Sequence, residues 1–194
     1  TDQLAPALSA AENLRADVPA VATAWDVIAS SSTEFVLLYV RTTGQLDAYR
    51  FNAAGAQQGA AALDMRAGQT IGVVATFATG GVAYFAFRNI TADAIECLAR
   101  SSSDLATVTF AVQTVQAAAG VTNTITAGPG SASGNQWIAW DILATATDQE
   151  YVSYRSITST GTVGANQHKA FNCQLASRIW SAEARSYVAV SVAG

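Results

Sequence analysis

The sequence predicts an all-β chain of antiparallel strand–turn–strand units repeated along 194 residues. Three observations predict it. Apolar and polar residues alternate with period two in short runs rich in Val, Ile, Phe and Tyr, the pattern of half-buried or buried strands. Clusters of Gly, Ser and Thr separate the runs, as hairpin turns require. Helical spacing is nearly absent. Residues 7–14, with Glu12 and Arg15 nearby, offer the one helix-like stretch and read equally well as coil. Helix is therefore expected below about 15%, against roughly one-third in an ordinary globular domain.

The units can be followed in chain order. Ala24-Trp25-Asp26-Val27-Ile28-Ala29 is nearly matched by Ala139-Trp140-Asp141-Ile142-Leu143-Ala144. Each copy runs through a Ser/Thr-rich turn and an acidic residue (Glu34 or Glu150) into an aromatic strand that begins at Phe35 or Tyr151. Two looser copies place second strands at Val82, after the turn Ala78-Thr79-Gly80-Gly81, and at Tyr187, after Arg178-Ile179-Trp180-Ser181. A third strand follows at Gln45 to Phe51 and again at Ala94 to Leu98, and a further strand is expected over 105–116. Residues 120–134, rich in Thr, Ser and Gly, read as a long exposed loop between units.

Three- or four-stranded meanders recurring every 40–50 residues or so are the sequence pattern of β-propeller blades. The expected architecture is a single β-repeat domain over residues 1–194. Its propeller-like units cover about 20–65, 66–118, 136–176 and 177–194. The chain ends inside strand-like text at 187–194, which points to a piece of a longer polypeptide or to a last strand pairing with the amino-terminal segment.

Composition narrows the function classes. Hydrophobic residues make up 51% and charged residues 12%, with a net charge of −4. Average charged content is about 25%, so the chain has the side chains for a sizeable core and none of the character of a disordered tail. Its ten cations, with Lys169 the single lysine, are scattered singly. Nucleic-acid binders gather theirs into a patch, so specific nucleic-acid recognition is not expected. No apolar run reaches the roughly 18 residues that span a bilayer, and the first residues do not read as a signal peptide. Cys97 and Cys173 form no CxxC and read as buried free thiols, with a single disulfide as the alternative.

Residues that could carry chemistry are few. His168 is the sole histidine, and it sits in Gly164-Ala165-Asn166-Gln167-His168-Lys169, which reads as a solvated turn. A nucleophile–histidine–acid arrangement would have to use it as base, and no Gly-x-Ser-x-Gly accompanies it. One histidine and two distant cysteines do not supply a zinc site, and the spaced acids of a calcium loop are missing. No metal or other cofactor is expected. Asp26, Glu34, Asp141, Asp148 and Glu150 could pair for glycoside hydrolysis. Yet Asp26 with Asp141, and Glu34 with Glu150, hold equivalent places in two repeats, as structural hydrogen-bonding residues would. Ser102-Ser103-Asp104-Leu105-Ala106 begins like the Asp boxes of sialidase-type propellers, but has Ala for the Gly and no closing Trp. Asn89-Ile90-Thr91 fits a glycosylation acceptor. Trp25, Trp140 and Trp180 fall in the first strands of their units and are expected as core anchors. Trp137, just after the loop, is the expected ligand contact.

The hairpin from Phe35 through Val40-Arg41-Thr42-Thr43-Gly44 to Phe51, with its looser copy from Val82 to Leu98, resembles the propeller parts of bacteriophage tail proteins. The nozzle, or tail tubular, proteins of short-tailed phages are the nearest in kind. The resemblance implies a non-enzymatic structural subunit of a virion tail, working among other protein subunits and most naturally as a homo-oligomer. A carbohydrate- or protein-binding propeller module of a phage fibre, or of an extracellular or cell-surface bacterial protein, is the alternative. A glycoside hydrolase is the third reading.

Overall fold

A computed structural model describes residues 22–120, 122, 124–129, 135–144, 149–165, 167–170, 173–182 and 185–192. Residues 142–144, 149–151 and those from 167 onward are described by backbone alone. The described residues are all β, in antiparallel sheets, with no helix among them. The stretch at residues 7–14 lies outside the described residues.

Each sheet is a meander taken in chain order. The first holds β1 (Ala22–Ala29), β2 (Glu34–Arg41) and β3 (Leu46–Asn52). Backbone bridges from Ala48 to Ala62 and from Phe51 to Gln57 add a short outer segment to it. The second holds β4 (Ile71–Thr79), β5 (Val82–Asn89), β6 (Ala94–Ser101) and β7 (Val108–Ala117). The third holds β8 (Ile125–Pro129), β9 (Asn135–Ala144), β10 (Gln149–Thr158) and β11 (Gln167–Ala170). The fourth pairs β12 (Cys173–Ala182) with β13 (Arg185–Val192).

Turn chemistry closes these hairpins where the sequence places it. Gly80 and Gly81, at φ 58° and 78°, form the two-residue link between β4 and β5. Positive φ at both central residues gives a turn whose twist matches that of the strands it joins. In the link from β6 to β7, Asp104 accepts hydrogen bonds from the Thr107 hydroxyl (2.7 Å) and the Ala106 amide (3.1 Å). The Asp-box-like text is therefore a side-chain closure of one turn.

The sheets stack face to face. On β5, Ala83, Phe85 and Phe87 point to one side, with Leu98 and Leu105, and meet Val36, Leu38, Val40, Leu46 and Ala48 of the first sheet. Tyr84 and Ala86 point to the other side, with Ile95 and Cys97, and meet Ile125, Ala127, Ile138, Trp140 and Ile157 of the third. A strand covered on both faces needs apolar residues at every position, which is why β5 reads Val-Ala-Tyr-Phe-Ala-Phe. The first strands lie side by side: β1 against β4, β4 against β8, and β8 against β12.

Three expectations are corrected. Residues 120–134 are not one exposed loop, because Ile125–Pro129 is a strand with Ile125, Thr126, Ala127 and Gly128 buried. Its Thr-Ile-Thr-Ala-Gly text hides among loop-type residues. β8 therefore stands first in the third sheet, and the strand from Gln149 is third in it. His168 lies on the strand β11, opposite Ser153, and not in a turn. Its polar neighbours suit an edge strand as well as a turn. Trp25 is 63% exposed, whereas Trp140 is fully buried. Both indoles share a face with the residues across the strand pair, Tyr39 and Ser153. For Trp140 that face packs on the second sheet. For Trp25 it is the face opposite Ala24 and Ile28, which pack on the core between the first two sheets, and the indole stays largely exposed.

Candidate functional site

Among the described side chains, the residues the sequence singled out form no common cluster. Trp137 stands half-buried on β9, its ring edge-on to Tyr154 at 5.5 Å, beside Ala139 and Val152. Glu34 lies 3.8 Å from Arg50 across the first sheet. The side chains of His168, Glu150, Cys173 and Trp180, and all of Asp148, lie outside the described residues. Among the described residues, no three His, Cys, Asp or Glu side chains gather as metal ligands would, and no helix is long and apolar enough to cross a membrane.

The repeated aspartates accept backbone amides. Asp26 reaches from β1 to the second sheet, where its Oδ2 accepts the Thr76 amide at 2.7 Å. Its Oδ1 accepts the Val27 amide at 2.9 Å. Asp141 accepts the Thr124 amide at 2.8 Å, at the start of β8. First strands have one edge outside the ladder of their own sheet, and backbone groups there need partners. Asp26 supplies one from a neighbouring sheet.

Other buried charges fasten the connection between the first two sheets. The Arg66 guanidinium donates two hydrogen bonds of 2.9 Å to the Glu96 carboxylate, which also accepts from the Asn89 amide at 3.0 Å. Asn89 is fully buried, and its side-chain nitrogen also donates to Gln69. The glycosylation triplet therefore presents no accessible amide. Asp47, also fully buried, accepts from Arg41 at 2.5 Å and from the Asp64 amide at 2.8 Å. The hydrogen bond to Asp47 raises the Arg41 pKa, and burial, then the Asp47 charge, raises that of Tyr49. Arg88 binds the Gly120 carbonyl at 2.8 Å and also Asp93, tying the exit of the second sheet to its second turn. Cys97 is a fully buried free thiol, and burial pushes its pKa up.

Where β1, β4 and β8 run side by side, an open depression of about 330 Å³ is lined by Thr23, Ala24, Trp25, Val73, Val74, Thr124 and Ile125. No lining residue is ionisable. The sequence pointed to Trp137 and passed over Trp25, because strand alternation assigned Trp25 to the core. Val73, Val74 and Thr124 carry no motif, and only the stacking of sheets brings them to Trp25. No protein-family model matches the sequence, and no curated protein does.

Proposed function

We propose that this chain is a non-enzymatic structural domain whose sheets are successive blades of a β-propeller, serving as a subunit of a bacteriophage tail, in the nozzle or another tail component. The observation that carries the reading is the side-by-side run of first strands from β1 to β12, with each sheet unfolding outward in chain order. Blades are built this way. The buried charges favour a structural role. Arg66 with Glu96, Arg41 with Asp47, and Asp26 with Thr76 each spend their hydrogen-bonding capacity on holding sheets and connections together. The hairpins resembling tail proteins supply the setting: a virion, protein subunits as partners, and a homo-oligomer as the working form.

Negative-stain microscopy and sedimentation of the purified protein test this reading. Rings or discrete oligomers are expected. A monomer at every concentration would count against it. The alternative, a recognition module of a fibre or cell surface, is favoured by one specific observation, the exposure of Trp25 beside a depression. A glycan array separates the two.

A further inference from the structure

We propose that Trp25 and the depression beside it bind a neutral pyranose sugar at the convergence of β1, β4 and β8. This site stands whether or not the chain assembles into a tail.

Exposure is the first ground. Trp25 is 63% exposed, and the other large apolar side chains standing out from the described residues are Leu63, Ile90 and Val108. None of those lines the depression. An indole left in water forfeits the burial that usually rewards it, and this one stands beside an open depression. The indole face carries negative electrostatic character. The C–H face of a pyranose ring, slightly positive and flat, matches it.

Chemistry of the lining is the second ground. Thr23 and Thr124 line the depression; the Thr23 hydroxyl donates to the Val40 and Arg41 carbonyls at 3.4 Å and keeps its acceptor capacity for a sugar hydroxyl. Val73, Val74, Ala24 and Ile125 supply apolar walls. A few polar groups on an apolar lining is the common make-up of small-ligand sites, which span about 300–1,000 Å³. At about 330 Å³ this one is at the small end, suited to the terminal ring of a glycan. Charge selects against other ligands. No Arg or Lys is there to meet a phosphate or a sugar acid. The carboxylates beside the lining strands are engaged with backbone: Asp26 holds the Thr76 amide and Asp141 the Thr124 amide.

The test is titration of the whole chain with neutral oligosaccharides of glucose, galactose and N-acetylglucosamine, followed by tryptophan fluorescence and calorimetry. An oligosaccharide of glucuronic acid serves as the charged comparison. At least one neutral oligosaccharide is expected to give a saturable change in the millimolar range, and the charged one none. Trp25→Ala should weaken that binding at least tenfold, Trp25→Phe should retain part of it, and Thr23→Val should weaken it less. Unchanged unfolding midpoints would show that each variant is folded. Absence of saturation with every neutral oligosaccharide would overturn the proposal, as would Trp25→Ala binding like the unaltered chain. A concentration-dependent blue shift of Trp25 without sugar, lost in Trp25→Phe, would also overturn it, since the indole would then serve a protein interface.

Discussion

Trp140 and Trp25 occupy matching text and meet different surroundings. Trp140 is fully buried between the second and third sheets, among Ile138, Ile125 and Ile157. Its replacement by Ala should cost about 3–5 kcal/mol, the usual range for a truncated core aromatic. Trp25→Ala should change stability by no more than about 0.5 kcal/mol, as exposed substitutions do. Denaturant unfolding of the two variants checks the pair, and equal losses would show that Trp25 is also buried. Alternation in the sequence made both tryptophans inward-facing. It could not say that one would be fully buried and the other left largely exposed, because cover comes from elements distant in sequence. Asp26 shows the same limit. Its repetition with Asp141 was legible as structural, while its partner, the Thr76 amide of another sheet, was not.

At the scale of elements, turns decide how well the sheets meet. Gly161, at φ 88°, follows β10, and a Cβ there would stand 3.0 Å from the Phe110 ring and 3.2 Å from Gln113 of β7. Gly161→Ala adds both strain and contact between the third and second sheets. It should destabilise by about 1–3 kcal/mol, the range for a residue forced into a sparsely populated conformation, read from the same unfolding curves. The turn from β6 to β7 makes a second prediction. The Thr107 hydroxyl, then the Ala106 amide, hold the Asp104 pKa below the ordinary carboxylate value. A depressed pKa favours the folded state above the unfolded value, and this contribution is lost as pH falls through the folded value. Thr107→Val should move the Asp104 titration, followed by carboxyl NMR, up toward the ordinary value. An unmoved titration would show that the hydroxyl does not hold the carboxylate. Hairpins such as β2–β3 and β4–β5 were readable because Gly44 and Gly80-Gly81 mark them locally. β8 was not, since a five-residue strand amid Thr, Gly and Ser carries too little apolar alternation to stand out. The depression was not readable either, because its lining comes from three strands that are neighbours only in the stack.

At the scale of the whole molecule, the second sheet is the part on which the rest is built. Its β5 and β6 strands are interior to their sheet and covered on both faces, while β7 is an outer edge with most side chains at least partly exposed. Regional stability follows such differences in burial, and amide exchange reports it. Both the blade reading and the placement of the depression depend on the first and third sheets lying on opposite faces of this one. Hydrogen–deuterium exchange resolved by residue tests that arrangement most directly. The amides of Tyr84 to Phe87 and Ile95 to Leu98 should be the slowest in the chain, exchanging only with global unfolding, and those of β7 should exchange much faster. Equal rates in β5, β6 and β7, or slowest exchange outside the second sheet, would contradict a sheet enclosed between two others.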